Sequence, residues 1–150
     1  NLEVIDLLEH VFNEVKQSNK NEKCTFRSVV PSHPISLSTD SVLLPIVIQN
    51  LVTNAMKYSP NGGEIFMQVE EQKDKVLVHI HDQGMGITKA EQPRVFQKFF
   101  RAKASRSMLT SGTGLGLYLS KRIMESLGGS LSFASEEGKG TTFTVSMPRD

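Results

Sequence analysis

Three groups of residues in this sequence have the types and spacing to bind a phosphorylated ligand. The first is SGTGLGL at residues 111–117, where glycines alternate with other residues just before a run of helical periodicity. Glycine destabilises a helix, so its repeated use at a helix start needs a reason. Free N–H groups at a helix N-terminus attract anions, and glycines let a phosphate approach the backbone. The stretch lacks the lysine of a P-loop and the spacing of a dinucleotide fingerprint, so phosphate binding and an ordinary flexible loop both stay open here.

A polar stripe on a predicted helix is the second group. Asn50, Asn54, Lys57 and Tyr58 recur at helical spacing, so they point the same way beside an apolar stripe. An amide oxygen is a hard ligand suited to Mg²⁺, which shares its coordination shell with water and phosphate oxygens. A nearby lysine can neutralise phosphate charge. The alternative interpretation is a solvated helix face.

Asp82, at the end of a predicted strand, is the third group. In VLVHIHD the apolar residues alternate with histidines, so the aspartate continues the apolar face and lies at the rim of the core. A buried carboxylate needs a partner, and the exocyclic amine of a purine could be that partner, with Gly84 and Gly86 leaving room for the ring. The alternative is an Asp-initiated turn that closes the strand. We expect His79 and His81, on the opposite face, to be solvated rather than to bind a metal, because no third ligand is evident.

Four segments, taken in order, resemble a known family. NLVTNAMKYSP (50–60), DQGMGI (82–87), VFQKFFRA (95–102) and GTGLGL (112–117) are similar to the N, G1, F and G2 boxes of sensor histidine kinases. The chain resembles their catalytic and ATP-binding domain, which has a Bergerat-type ATP fold. The terminal GKGTTFTVSMP also resembles the last strands of that family, so the resemblance extends over the whole chain.

The resemblance implies a role for each residue of the first two boxes. Asn54 would be the magnesium ligand, and Asn50 would lie beside it in a polar network. Lys57 would reach the phosphates, and Tyr58 would line the nucleotide. Asp82 would accept a hydrogen bond from the adenine amino group.

The F and G2 boxes would bound a mobile lid formed by residues 102–111. Phe96 and Phe100 would anchor this lid, and Arg101 would face the γ-phosphate. The resemblance implies that the remaining contacts with the nucleotide come from Gly84, Gly86, Lys103, Arg106, Gly112, Thr113, Gly114, Leu115, Gly116, Leu117 and Thr141.

The implied activity is phosphoryl transfer from Mg-ATP to a histidine on a separate domain, with Asn50, Asn54 and Arg101 as the catalytic set. Related ATP hydrolases of the gyrase, Hsp90 or mismatch-repair type carry a glutamate one turn before the magnesium asparagine. Asn50 stands at that position and cannot act as a base, which favours a kinase over a hydrolase. A nucleotide-binding scaffold without kinase activity is the other alternative. The family's phosphoacceptor box is missing, so we interpret His10 as a surface residue of the first helix.

The elements that must position these residues can be predicted from periodicity and turn signals. We predict helices over residues 2–17, 38–59 and 112–127, and a short helical piece near 88–95. Strands are predicted over 24–30, 35–38, 64–71 and 75–82, the last two forming a hairpin at QKDK, and residues 130–148 give two strands joined by an EEGKG turn. Ser38, Thr39 and Asp40 are the candidates for the cap of the second helix. The mixture of helices and hairpins indicates one domain over residues 1–150, an α/β (α+β) two-layer sandwich. Its sheet would be mixed, mostly antiparallel and covered on one face by about three helices.

Composition limits the partners of this domain. Lysine and arginine number 17 against 16 acidic residues, a net charge of +1, which argues against a nucleic-acid surface. The single cysteine, Cys24, excludes an internal disulfide, and no apolar run is long enough to cross or insert into a membrane. The chain is expected to be a fragment without the dimerisation hairpin. The resemblance implies a cytoplasmic part of a membrane-anchored, homodimeric sensor, whose partners are the histidine-containing dimerisation domain of the same parent and a response regulator.

Overall fold

The computed structural model describes residues 1–100 and 115–149. The helices are α1 (Val4–Ser18), α2 (Leu43–Lys57) and α3 (Gly116–Ser126). The strands are β1 (Leu2–Glu3), β2 (Cys24–Val29), β3 (Ser36–Leu37), β4 (Gly63–Glu71), β5 (Lys75–His81), β6 (Ser130–Glu136) and β7 (Gly140–Pro148). None of the helices in these described ranges is long and apolar enough to span a bilayer.

Five of the strands form one mixed sheet in the order β2-β4-β5-β7-β6. Only β2 and β4 run parallel, and the other neighbours are antiparallel. The hairpins β4–β5 and β6–β7 come from strands adjacent in sequence, as the turn signals predicted. Three helices cover one face, so the predicted two-layer sandwich is confirmed.

The core lies between the helices and the inner face of the sheet. Apolar side chains recur along α2 at helical spacing and are buried against the sheet: Leu44, Val47, Ile48, Leu51, Val52 and Ala55. Val76, Val78 and Ile80 alternate along β5 and are at most 1% exposed. Burying apolar area of this extent is the main stabilising contribution, and it fixes α2 directly over β5.

The second helix begins at Leu43, several residues later than predicted. Asp40 causes this, because its Oδ1 accepts hydrogen bonds from the N–H groups of Val42 (2.7 Å) and Leu43 (2.8 Å) and so satisfies donors of the first turn. Hydrogen bonding to these donors holds the pKa of Asp40 below its usual range. Pro45 is the third residue of the helix, where its missing N–H breaks no intrahelical bond.

Two other predicted boundaries differ for similar local reasons. The first helix starts at Val4 because Leu2 and Glu3 pair with β3 and the Glu3 carboxylate caps the N–H groups of Ile5 and Asp6, both at 2.9 Å. The helical piece predicted near 88–95 is a single 3₁₀ turn, Gln92–Arg94.

Candidate nucleotide-binding site

The predicted polar stripe lies on the accessible side of α2. Asn50, Asn54 and Lys57 have intermediate exposure, whereas Leu51 and Val52, on the sheet side of the same turns, are fully buried. Lys57 forms no ion pair within residues 1–100 and 115–149. Two amide groups and a lysine are therefore presented on one side of the helix, as their spacing predicted.

The start of α3 lies against this stripe. A Cβ added to Gly116 would stand 3.8 Å from Asn50 Cγ, an ordinary contact distance. One turn later, Asn50 Nδ2 donates to Ser120 Oγ at 3.2 Å. The structure thus brings the asparagine helix and the glycine-led helix together, at residues that lie 70 positions apart in sequence. Ser120 was not singled out from the sequence, although a serine at i+3 from buried Leu117 on the apolar face of α3 was a signal that could have found it.

Asp82 lies directly after β5, at the edge of the core, and is only 6% exposed. Its Oδ1 accepts hydrogen bonds from the N–H groups of Gly84 (2.9 Å) and Thr141 (3.2 Å). Burial raises the pKa of Asp82 to about 6, and these two hydrogen bonds lower it only in part. Neither described bond uses Oδ2, so that oxygen is left to accept from a ligand.

The loop after Asp82 is held close to the end of α2. Tyr58, the C-cap residue that follows α2, is buried, and its carbonyl oxygen accepts from the N–H of Met85 at 2.9 Å. A Cβ at Gly84 would stand 2.0 Å from the Tyr58 oxygen, and one at Gly86 would stand 2.2 Å from the Glu136 oxygen. Both glycines are therefore explained by close backbone packing, which fixes where Asp82 points.

Thr141 supports the same carboxylate from β7 and is 2% exposed. Its hydroxyl lies 2.7 Å from Ser135 Oγ, which in turn accepts from the N–H of Ile87 at 2.8 Å. The structure brings Thr141 to Asp82, and it adds Ser135 as a support that sequence reasoning missed. Serines on an edge strand give no signal of their own, since their partner depends on the register of β6 with β7.

The aromatic residues of the F box pack onto the domain. Phe96 contacts the rings of Phe133 and Phe143, with centroids at 5.6 Å and 6.4 Å, and Lys121 Nζ lies 4.6 Å from the Phe96 ring centroid. Phe100 is partly buried against the core. Of the G2 box, Leu115 is the N-cap residue of α3 and Leu117 is buried. The predicted contacts Arg101, Lys103, Arg106, Gly112, Thr113 and Gly114, and the lid segment 102–111, lie outside the described residues.

His79 and His81 are only partly solvated, so the prediction that they are solvated holds in part. Both rings are partly buried on the outer face of the sheet, and both bond to threonine hydroxyls of β7. His10 does lie exposed on α1, beside Glu14, as predicted.

The candidate site therefore has two ends. At one end a buried carboxylate can accept a hydrogen bond from an amine, and at the other two amides and a lysine can meet hard cations and anions. No cluster of three or more His, Cys, Asp or Glu side chains suited to a metal occurs among the described residues. A magnesium ion here would therefore depend on amide, water and phosphate oxygens, and the Asn54 amide fits that requirement.

Comparison with known proteins identifies the family. Residues 39–150 match the family described as histidine kinase-, DNA gyrase B- and HSP90-like ATPases. The chain belongs to this ATPase family. The resemblance drawn from the four boxes is confirmed, because relatives and structural neighbours within the family are sensor histidine kinases.

Three members of this ATPase family show how the likeness is distributed. The sensor-like histidine kinase SenX3 of Mycolicibacterium smegmatis is 42% identical over 109 residues, which are 73% of this chain and 28% of that protein. WalK of Bacillus subtilis is 32% identical over 134 residues, 88% of this chain and 22% of that protein. The mycobacterial sensor histidine kinase MprB matches in structure with a TM-score of 0.84 at 28% identity, covering 98% of this chain and 96% of the solved one. The chain thus spans about a quarter of these curated relatives and nearly all of a solved kinase domain.

Proposed function

We propose that this chain binds Mg-ATP and donates the γ-phosphoryl group to a histidine on a separate dimerisation domain of its parent protein. The observation that supports the proposal most directly is the bonding of Asp82, a buried carboxylate. Its Oδ1 accepts both of the hydrogen bonds that the backbone N–H groups donate to it. The second oxygen, Oδ2, takes part in neither of these bonds, so a ligand amine placed there would find an acceptor in a largely buried environment, where such a bond is stronger than in water.

The adenine amino group is the ligand amine that this family suggests. Gly84 and Thr141 hold the carboxylate in one orientation, and the loop packing at Tyr58 holds Gly84. A fixed acceptor selects a base with an amine at the right position and rejects one with a carbonyl oxygen there, because two acceptors would face each other.

The triphosphate would extend from the base toward the polar side of α2 and the N-terminus of α3. Lys57 has no ion pair among the described residues, so its charge is available for a phosphate. Asn54 would hold Mg²⁺, with Asn50 beside it, and the ion when bound would neutralise phosphate charge. The start of α3 adds the positive end of a helix dipole on the same side.

Transfer to histidine, rather than to water, follows from the residue at position 50. In the reaction a histidine nitrogen forms a bond to the γ-phosphorus, the bond from that phosphorus to the β-γ bridging oxygen breaks, and ADP leaves. Asn50 is an amide bonded to Ser120, and an amide cannot deprotonate a water. The chain would therefore position the nucleotide and leave the nucleophile to its partner domain, before a response regulator receives the phosphoryl group. The parent protein would be a homodimeric sensor that keeps this domain in the cytoplasm.

Incubation with γ-labelled ATP and Mg²⁺ tests the proposal. The 150-residue chain alone should bind one ATP, release phosphate very slowly and stay unlabelled. A separately produced histidine-containing dimerisation domain of the parent should become labelled when the chain is added, though weakly, because the tether no longer raises the local concentration. The matched control is Asn54→Ala, which should abolish labelling while the domain stays folded. Rapid phosphate release by the chain alone would overturn the proposal in favour of a hydrolase, and ATP binding without labelling of the partner would favour a scaffold.

A further inference from the structure

The outer face of the sheet carries a histidine pair that the nucleotide site does not use. His79 and His81 are two residues apart on β5, so both rings project from the face opposite Asp82. Their centroids are 5.9 Å apart and their planes are inclined by 31°. Because they lie on the far side of the sheet, what they bind is independent of the proposed nucleotide chemistry.

Threonine hydroxyls of β7 bond to the same ring nitrogen, Nδ1, in both histidines. His81 Nδ1 lies 2.7 Å from Thr142 Oγ1, and His79 Nδ1 lies 2.9 Å from Thr144 Oγ1. The antiparallel register of β5 with β7 places each histidine directly opposite its threonine. Histidines that bind metals commonly have their second ring nitrogen fixed by a hydrogen bond of this kind, which sets the orientation of the ring. Both Nε2 atoms are consequently directed away from β7.

We propose that His79 and His81 form a surface site for one borderline divalent transition-metal ion, such as Zn²⁺, Ni²⁺ or Cu²⁺, bound through the two Nε2 atoms. Two imidazoles that share an ion at metal–nitrogen distances of about 2 Å have ring centroids roughly 5–6 Å apart, and the observed distance of 5.9 Å lies in this range. Water completes the coordination shell, because the described residues contain no group of three or more His, Cys, Asp or Glu side chains suited to a metal ion.

The charges around the pair suit a cation. In the metal-free chain His79 Nε2 donates to Glu70 Oε2 at 3.2 Å, so the ion would replace the proton on this nitrogen and the carboxylate beside it would offset the charge of the ion. Burial, and secondarily the neighbouring His79, lower the pKa of His81, which favours the neutral ring that binds metals. On the other side His81 stacks on Phe66 at 5.4 Å between centroids, which limits how far the ring can turn.

Titration of the metal-free 150-residue chain with ZnCl₂, NiCl₂ or CuCl₂ in a calorimeter tests this site. We expect one ion per chain, with affinities that follow the order Ni²⁺ < Cu²⁺ > Zn²⁺, and a Cu²⁺ electron paramagnetic resonance spectrum showing two nitrogen ligands. His79→Gln and His81→Gln should each abolish this binding. The matched controls are His10→Gln and His33→Gln, which change the other two histidines of the chain, both outside the pair on β5. Absence of binding in the original chain, or binding that survives either outer-face substitution, would overturn the proposal.

Substitution of Thr142 and Thr144 tests whether the two rings are oriented in advance to bind an ion or are only close to each other. Thr142→Val and Thr144→Val keep the shape and the strand propensity while removing the hydroxyl that orients each ring. Each should weaken ion binding by about tenfold. A thermal melt of the metal-free variants establishes that they are folded. Unchanged affinity in both threonine variants would contradict the orienting geometry and so overturn the site as proposed.

Discussion

The two faces of β5 differ in how their side chains are held. On the inner face Val76, Val78 and Ile80 pack under α2, and the series ends with the buried carboxylate of Asp82. On the outer face His79 and His81 bond to threonines of the next strand. Alternation along one strand tells which face a residue occupies, but the partner of an outer-face residue depends on a second strand.

Burial acts on both faces with opposite effects on pKa. It raises the pKa of Asp82 to about 6 and lowers the pKa of His81. In each case removal from water disfavours the charged form, and the charged form is the deprotonated one for an acid and the protonated one for a base. Burial thus moves both groups toward their neutral forms: it makes the inner carboxyl easier to protonate, and it favours the outer imidazole as a neutral ligand.

The largest effect is expected where the inner-face loop meets α2. Gly84→Ala would place a Cβ 2.0 Å from the carbonyl oxygen of Tyr58, so the loop must move away. We expect a loss of about 3 kcal/mol in the free energy of unfolding and no measurable ATP binding. Urea unfolding and calorimetry measure the two effects.

Gly138→Ala is the control for that substitution, since a Cβ there meets nothing within 4 Å although its φ is +80°. It should lose only about 1 kcal/mol through backbone strain. Equal losses in the two variants would mean that the contact with Tyr58 does not restrict the loop.

Asp82→Asn tests whether the affinity for ATP depends on the inner face of β5 and not on the outer face. The variant would turn an ionised acceptor into an amide and should weaken ATP binding ten- to hundredfold, on the order of 1.5–3 kcal/mol. His79→Gln, on the other face of the same strand, should leave the affinity for ATP unchanged. Calorimetric titration with Mg-ATP measures both, and equal losses in the two variants would remove the distinction between the faces.

The same substitution should stabilise the nucleotide-free domain at neutral pH. The pKa of Asp82 in the folded chain, about 6, exceeds its ordinary value of 3.8, so folding favours the protonated carboxyl. The contribution of Asp82 to the free energy of unfolding is therefore fully present below pH 4 and is lost as the pH rises through 6. The shift corresponds to roughly 3 kcal/mol, of which burial of the asparagine NH₂ group offsets a part, so a gain of about 1–2 kcal/mol is expected at pH 7.

Urea unfolding at pH 4 and pH 7 measures this gain. The original chain should lose stability between the two values relative to Asp82→Asn, whose residue 82 does not titrate. Parallel behaviour of the two proteins would show that residue 82 is not the group that titrates in this range.

What could be predicted from the sequence is what depends on a single element, and what was missed depends on contacts between two elements. Periodicity within one element was enough to place Asn50, Asn54 and Lys57 together on α2 and to set Asp82 at the rim of the core. Contacts that require two elements were missed, as for Ser120 beneath Asn50 and for the threonines that hold the histidines. Strand register is determined by the whole core, so a short window of sequence carries no signal for it.

The smallest expected effect concerns the outer face without metal. Thr144→Val removes the hydroxyl that bonds His79 at 2.9 Å, and a partly exposed hydrogen bond of this kind contributes about 0.5–1 kcal/mol to the free energy of unfolding. Ser132→Ala is the matched control, because Ser132 lies opposite Thr144 on β6, is exposed, and its hydroxyl makes no hydrogen bond to a described residue. A double-mutant cycle of Thr144→Val with His79→Gln should give a coupling energy of about 0.5 kcal/mol, whereas the cycle of Ser132→Ala with His79→Gln should give none. Since the two residues of the first cycle meet only through the register of β5 with β7, additive effects there would mean that the outer face is ordered by solvent rather than by cross-strand hydrogen bonds.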